Sequence, residues 1–145
     1  MSKGPASTDK SLLSALNDVA AAWRLDFRTE MARRGFPWHL TASGDLLPHL
    51  GDEGLPQTAL VQSMGISKQA VQQLLDHLES SGVVRRETDP ADKRAKRVLL
   101  TDLGRRDLKA RQEVLIEIEE RARETLGKKR FGRLEKAMKR LRKPG

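Results

Sequence analysis

The sequence predicts a mainly α-helical fold with one small β-hairpin, in which a central lobe is flanked by long terminal helices. Three observations in the 145-residue chain support this prediction. Two long amphipathic segments lie towards the ends, where apolar residues recur at helical spacing. Two short helical segments meet at a glycine in the middle, and a strongly charged segment with strand-like alternation follows them.

The middle of the chain contains a short helix, a tight turn and a second helix. The first is predicted from about Pro56 to Met64, with the proline at the first helical position, where no N–H is needed. Gly65 ends it, because glycine readily takes a positive φ. Ser67 can cap the second helix, which is predicted over residues 67–80.

The second helix has one apolar and one polar side. The apolar stripe consists of Val71, Leu74, Leu75 and Leu78. The other side carries Lys68, Gln69, Gln72, Gln73 and Asp76. A glutamine can donate to and accept from the edge of an adenine, and a small residue such as Ala70 can touch a thymine methyl group. The pattern therefore suits a helix that lies in the DNA major groove.

A basic hairpin follows the second helix. Its strands are predicted at residues 83–88 and 96–101, with the turn-forming residues 89–95 as the loop. From Arg85 to Arg97 there are six basic and three acidic residues. The basic side chains are placed to meet phosphates.

Two motifs in this region resemble those of the MarR family of bacterial winged helix-turn-helix transcription regulators. The first is S-K-Q-A-V-x-x-L-L-D-x-L-E-x-x-G-x-V-R-R from Ser67, and the second is D-P-x-D-x-R-x-x-x-V-x-L-T from Asp89. The resemblance is most specific over residues 55–104. It implies a single domain over residues 1–145, made of a winged helix-turn-helix lobe (39–101) and an N- and C-terminal helical dimerisation lobe (9–35 and 102–142). Within it, the recognition helix is 67–80 and the wing is 83–101.

The resemblance also implies roles for single residues. Gln69, Ala70 and Gln73, with Gln72 as a further candidate, would read base edges, while Ser67 and Lys68 would meet phosphates at the positive end of the helix. Arg94 would enter the minor groove, and Arg85 or Arg86 would contact the DNA backbone. Asp92 would pair with Arg86 or another wing arginine and fix the loop. The alternative for all of these residues is an ordinary solvated surface.

Both ends of the chain are predicted to be long amphipathic helices. The first spans about Asp9 to Arg34, the second Asp102 to Leu126 after a Thr101 cap, and the last Lys128 to Arg142. A chain of this size offers little core for three apolar stripes, so they would bury one another across a two-fold axis in a homodimer. The alternative is a monomeric helical cap.

Residues 38–50 depart from the family pattern. The family has a helix here, but Gly44 and Pro48 fall inside it. A proline removes a backbone donor, so the helix is expected to be kinked or shortened.

The family resemblance further implies release of DNA by a small aromatic or anionic effector. The residues placed to line such a pocket are Trp23, Arg24, Phe27, Trp38 and His39. The alternative is that these rings are simply core.

Composition limits the remaining possibilities. There are no cysteines and no apolar run near the roughly 20 residues of a membrane span, which predicts a cytoplasmic protein with no membrane partner. Residues 1–8 are expected to be an unstructured leader without a signal-peptide core. Scattered histidines (His39, His49, His77) and the absence of catalytic motifs predict no metal, no cofactor and no enzyme activity.

Charge is concentrated at the C-terminal end. The chain has 28 Lys and Arg against 20 Asp and Glu, a net charge of +8. Residues 128–143 alone hold nine cations against one acid, Glu135, so the rest of the chain sums to zero. This composition favours a solvated helix face over direct DNA contact, although it raises non-specific attraction to nucleic acid.

Together these features predict a dimeric DNA-binding transcription regulator, a repressor that binds an inverted-repeat operator in double-stranded DNA. The alternative is a winged-helix architectural or protein-interaction module that does not read a specific site.

Overall fold

The computed structural model describes residues 9–142, and the expected leader at 1–8 and the closing residues 143–145 lie outside that range. The α-helices are α1 Leu12–Arg33, α2 Gln57–Met64, α3 Lys68–Ser80, α4 Asp102–Leu126 and α5 Lys128–Arg142. Two 3-10 helices span Pro37–Leu40 and Ala42–His49, and the strands are β1 Leu55–Pro56, β2 Val84–Asp89 and β3 Asp92–Leu100. The mainly helical fold class is confirmed.

Helix boundaries follow the predicted capping residues closely. The Ser67 side chain accepts a hydrogen bond from the Ala70 N–H at the start of α3, and Gly65 ends α2 with φ +65°. Thr101 caps α4 in the same way, through the Gly104 N–H. Pro56 is not the first helical residue, because it lies in β1 opposite Arg97 and α2 begins one residue later.

The sheet has three antiparallel strands in the order β1-β3-β2, so a short strand is added to the predicted hairpin. Pairing runs from Val84 opposite Leu100 to Thr88 opposite Lys96, and then jumps to Asp89 opposite Asp92. Residues 93–95 are therefore an extra loop of chain within β3, a bulge that bends the strand at its tip. The predicted loop 89–95 is wrong at both ends, since Asp89 belongs to β2, residues 92–95 belong to β3, and the turn itself is only Pro90 and Ala91.

Two apolar cores hold the chain together. The larger lies in the winged helix-turn-helix lobe and consists of Trp38, Leu46, Leu47, Leu50, Leu60, Val71, Leu75, Leu78, Val83, Val84, Val98 and Leu100. The smaller lies between α1 and α4 and consists of Met31, Ala110, Val114 and Ile118. Gly104 lets α4 approach the sheet, because a Cβ there would stand 2.3 Å from the Val83 carbonyl oxygen.

Residues 37–50 contain no α-helix, and the two 3-10 helices take its place. The expected kinked or shortened α-helix is absent, and Pro48, which lacks a backbone donor, lies inside the second 3-10 helix. Gly44 is buried, and a Cβ on it would stand 2.6 Å from His39 Nδ1 and 2.8 Å from His39 Cα. The glycine therefore lets the two 3-10 helices touch.

The terminal helices leave apolar side chains open to solvent. In the first two turns of α1 the leucines Leu12, Leu13 and Leu16 are exposed, whereas Met31 near the end of the helix is fully buried against α4. The exposed apolar side chains are Leu12, Leu13, Leu16, Val19 and Leu25 on α1, Leu115 and Ile116 on α4, and Leu134, Met138 and Leu141 on α5. No helix within residues 9–142 is long and apolar enough to cross a membrane.

Candidate nucleic-acid interface

The polar side of α3 is open to solvent. Val71, Leu75 and Leu78 are fully buried, which turns the opposite side outward. Gln69 and Gln73 stand near the middle of that side, are exposed, and have no hydrogen-bond partner among the residues described. Ala70 is half-buried at its margin. The helix thus presents two unengaged amides on a convex surface.

Gln72 differs from the other two glutamines, although sequence reasoning grouped the three together. Its Oε1 accepts from Gln57 Nε2 at 2.6 Å, and its Nε2 donates to Asp76 Oδ1 at 3.2 Å. The amide is therefore engaged at both ends. A base edge would have to replace these bonds before Gln72 could read it.

Arg86 ties the hairpin to α3. Its Nη2 donates to Asp76 Oδ1 at 2.6 Å and to Glu79 Oε1 at 2.8 Å, and its side chain is only 14% exposed. The hydrogen bond from Arg86 lowers the pKa of Glu79, and the bond to Glu79 in turn raises the pKa of Arg86. Of the two arginines that the sequence left unseparated, Arg86 is a structural link, whereas Arg85 is exposed and donates to Glu87 Oε2 at 2.7 Å.

Arg94 projects from the tip of the hairpin. It lies in the β3 bulge, and its side chain is 93% exposed. Asp92 Oδ1 accepts from the Arg94 backbone N–H at 3.0 Å and lies 3.5 Å from its Nε. Of the two partners foreseen for Asp92, the structure shows another wing arginine and not Arg86, since Arg86 is already paired with α3.

Arg97 anchors the base of the hairpin, a role that the sequence did not reveal. Its Nη2 donates to the backbone oxygens of Glu53 at 2.9 Å and Gly54 at 3.4 Å. These bonds join β3 to the loop before β1. The hairpin is therefore braced at its base by Arg97 and along its length by Arg86, while its tip stays free.

A groove of about 790 Å³ lies between α3 and the hairpin. Its walls hold four cations and two acids: Lys68, Arg86, Arg94, Lys96, Glu79 and Asp92. Its polar walls suit a phosphate backbone, because cations there can meet phosphates on either side of a helix inserted in the major groove.

A buried polar cluster links α4 to the first 3-10 helix. Asp107 Oδ2 accepts from Trp38 Nε1–H at 2.8 Å and from His39 Nε2–H at 2.7 Å, while its Oδ1 accepts from Arg111 Nε at 2.8 Å. The Asp107 side chain is fully buried. Burial lowers the pKa of Arg111, with the carboxylate opposing that effect. Sequence reasoning missed this cluster, and its only local signal is an acid within the inner side of α4.

The cluster continues towards α3 through the second 3-10 helix. Gly44 packs directly on His39, and the adjacent Ser43 Oγ shares a 2.6 Å hydrogen bond with His77 Nδ1 on α3. A contiguous series of contacts thus runs from Arg111 on α4 to the exposed helix.

A second groove, of about 340 Å³, lies between α1 and α4. Its lining includes three of the five residues foreseen for an effector pocket, Trp23, Arg24 and Phe27, together with Pro48, Leu108, Arg111, Gln112, Leu115, Ile118 and Glu119. The other two, Trp38 and His39, do not line it. They are turned into the interior because Asp107 holds their ring N–H groups.

The central part of the chain matches a known protein family. Residues 41–95 match the model of the MarR family. The transcriptional regulator HosA of Escherichia coli O111:H- is 42% identical over 57 residues, which are 39% of this chain and 42% of that protein. The aligned part is therefore less than half the length of that relative.

Solved structures share the fold over nearly the whole chain. The apo form of MarR from E. coli superposes with a TM-score of 0.75 at 18% identity, covering 94% of this chain and 100% of that one. The transcriptional repressor CouR bound to a 23-mer DNA duplex gives a TM-score of 0.71 at 25% identity, covering 92% and 94%. The chain thus resembles MarR-family winged helix-turn-helix transcription regulators over residues 41–95, and nearly its whole length shares the fold of MarR and CouR.

Proposed function

We propose that the protein is a homodimeric repressor that reads an inverted-repeat operator with α3 and the hairpin tip, and that a small aromatic acid releases it from DNA. The observation that carries this proposal is the pair of unengaged amides, Gln69 and Gln73, on the outward side of a capped helix. The repressor role is suggested by CouR, a protein described as a transcriptional repressor bound to DNA.

In this proposal, residues on the exposed side of α3 contact the base edges. Gln69 and Gln73 are four residues apart and so lie one above the other on the helix. Each can make a bidentate contact with an adenine, and Ala70 can meet a thymine methyl group beside them. Ser67 and Lys68, both exposed at the N-terminus of α3, meet phosphates there.

In this proposal, Arg94 contacts the minor groove. The bulge projects its side chain away from the sheet, and the Asp92 carboxylate holds the backbone of the tip in place. A narrow A·T-rich minor groove has an enhanced negative potential that attracts an arginine. Arg85, which is exposed, adds a backbone contact, whereas Arg86 positions the hairpin against α3.

Dimerisation would cover the bare apolar faces of α1, α4 and α5. Ten large apolar side chains are exposed on these three helices within the described range. Exposed apolar surface of this extent marks an association site. A two-fold pair would set the two α3 helices about one DNA turn apart, roughly 34 Å, which is why the operator is expected to be an inverted repeat.

The first prediction tests base reading. Gln69→Ala is expected to weaken binding to the operator by about 1–3 kcal/mol, because it removes a bidentate base contact, and to leave binding to random duplex unchanged. Fluorescence anisotropy with both duplexes measures the two affinities. Gln112→Ala, which removes an exposed glutamine from α4, serves as the matched control. An equal loss on both duplexes would show that Gln69 is not a reader and would favour the architectural alternative.

The second prediction concerns the wing. Arg94→Ala is expected to reduce the slope of log affinity against log salt concentration by about 1, because one phosphate-region contact is lost. A salt titration of operator binding gives the slope. Arg121→Ala removes an exposed arginine from α4 and should leave the slope as in the wild type. If both variants behave alike, the hairpin tip does not touch DNA.

The effector site is the groove between α1 and α4. Its volume of about 340 Å³ is at the lower end of the range for small-molecule pockets. Trp23, Phe27 and Leu115 offer apolar walls, and Arg24 and Arg111 supply positive charge. Arg111 also belongs to the buried cluster that reaches α3 by way of Ser43 and His77. An anion in this groove would compete with Asp107 for Arg111. It would thereby disturb the contacts that fix the position of α3.

The third prediction uses benzoate as the probe. Benzoate is expected to raise the Tm and to weaken operator binding, because it binds the folded protein and favours a form that holds DNA poorly. Benzyl alcohol, which has the same ring without the charge, should do neither. Arg24→Gln should reduce both effects of benzoate. A Tm and an operator affinity that benzoate leaves unchanged would remove the groove from the mechanism.

A further inference from the structure

We propose that α5 carries a second binding surface for double-stranded DNA, which is independent of sequence and separate from α3 and the hairpin. The inference goes beyond the proposed function, because it does not depend on whether an operator is read. Its basis is a stripe of four cations on the outer side of α5, defined by Lys129, Arg133, Lys136 and Arg140 and named here the α5 stripe.

The α5 stripe is a geometric feature of the helix. Its members follow the spacing i, i+4, i+7 and i+11, which at 3.6 residues per turn confines them to an arc of about 60°. At about 1.5 Å per residue the stripe is about 16 Å long. The sole acid of α5, Glu135, lies well outside that arc, and all four members are exposed.

The opposite side of α5 is apolar. Phe131 is buried against α4, where the Arg123 guanidinium lies 4.6 Å from the centre of its ring. Leu134, Met138 and Leu141 continue the same side. Phe131 anchors this side on α4, while Leu134, Met138 and Leu141 are exposed and belong to the proposed dimer interface, so the α5 stripe faces the opposite way, towards solvent.

The stripe is not neutralised by the protein itself. Among residues 9–142, neither its four members nor any other cation of α5 forms an ion pair. The arginines of α1 and of the hairpin are different, since Arg34 bonds to Glu30 and Glu117, and Arg86 to Asp76 and Glu79. Unpaired cations that repel one another along 16 Å are stabilised by an external polyanion.

The stripe is distant from the reading surface. The hairpin leads directly into the N-terminal end of α4, and α5 follows its C-terminal end. A helix of 25 residues is about 37 Å long, and α5, with 15 residues, can return by at most about 22 Å. The end of α5 therefore lies at least about 15 Å along α4 from the hairpin, and the stripe offers a second duplex a site on a different element.

Duplex DNA is a better match for this surface than a lipid membrane. DNA carries about one negative charge per 1.7 Å of axis, so a 16 Å row of cations meets many phosphates. A helix that lies on a membrane instead inserts its apolar side among the lipids. In α5 that side is already packed on α4 at Phe131. The remaining attraction to lipid would be to headgroups alone.

The experiment measures bridging of two duplexes. Biotin-labelled and fluorescein-labelled random 24-base-pair duplexes are mixed with the full-length protein and captured on streptavidin, so that captured fluorescein reports a protein that holds both. The test variant replaces all four stripe residues by glutamine, which has a similar helix propensity. The charge-matched control replaces Lys10, Arg106, Lys109 and Arg121, four exposed cations outside α5, by glutamine.

The wild type and the charge-matched control are expected to bridge, and the stripe variant is expected to lose at least about tenfold of the captured fluorescein. For random duplex, the stripe variant should also lower the slope of log affinity against log salt by up to about 3–4, as expected when four phosphate contacts are lost. Circular dichroism and sedimentation verify that the variant remains helical and keeps the wild-type association state.

Other outcomes overturn the proposal in distinguishable ways. Equal bridging by the stripe variant and the control would show that the stripe does not bind DNA. Loss of binding to vesicles containing phosphatidylserine, with bridging intact, would assign it to lipid headgroups. A Gln69→Ala, Arg94→Ala double variant reports separately on the proposed function. If it binds the operator as tightly as the wild type, α3 and the hairpin are not the reading surface, and this outcome does not depend on the stripe.

Discussion

Replacing Leu12 and Leu16 by glutamate is expected to convert the proposed dimer into a monomer and to weaken operator binding by about 10²-fold or more. Both side chains lie on the bare part of the α1 stripe, and Leu12 is 72% exposed in the isolated chain. Glutamates there would be solvated in the monomer but desolvated in the dimer, which penalises only association. A monomer engages one half-site at a time, and losing a linked second site typically costs 10²- to 10⁴-fold in affinity.

Sedimentation velocity and operator anisotropy at the same protein concentrations test this expectation. Leu40→Glu is the matched control, because Leu40 is an exposed leucine on the first 3-10 helix, outside the apolar faces of the terminal helices. It should leave both the mass and the affinity unchanged. A Leu12→Glu, Leu16→Glu variant that stays dimeric would move the interface away from α1. A monomeric variant that binds the operator as tightly as the wild type would refute a paired reading of half-sites.

The parts of the fold that local chemistry determines could be predicted from the sequence. Ser67 caps α3 and Gly65 ends α2 because a hydroxyl and a missing Cβ act on their own neighbours. The buried stripe of α3 follows from the periodicity of Val71, Leu75 and Leu78. From these local signals one can predict the helix and its exposed side, and therefore that Gln69 and Gln73 are exposed.

The features that sequence reasoning missed depend on residues far apart in the chain. Asp107 meets Trp38 and His39 across nearly 70 residues, and nothing local distinguishes it from the other acids of α4. Arg85 and Arg86 read alike in sequence, but strand alternation directs only Arg86 towards the acids of α3. The bulge at residues 93–95 arises from the β2–β3 register, which composition does not specify.

Asp107→Asn is expected to lower the free energy of unfolding by about 3–5 kcal/mol, the cost of breaking a buried ion pair by removing one partner. Asparagine keeps the shape of the side chain but leaves the Arg111 cation buried without its counter-charge, since its remaining hydrogen bond is a 3.4 Å contact with the Leu47 carbonyl oxygen. Its amide group would also place a donor among the donors of Trp38, His39 and Arg111. Both effects lower the free energy of unfolding.

Urea unfolding at one fixed protein concentration measures the change, because the stability of a dimer depends on concentration. Asp102→Asn is the control: Asp102 is a fully exposed acid at the start of α4, paired with Arg105, and its loss should cost no more than about 1 kcal/mol. Adding Arg111→Met to Asp107→Asn should recover part of the loss, because the uncompensated charge is then gone and contacting residues are coupled by about 0.5–3 kcal/mol. If Asp107→Asn unfolds within 1 kcal/mol of the wild type, the carboxylate does not balance Arg111, and the connection from the effector groove through Ser43 and His77 to α3 loses its first step.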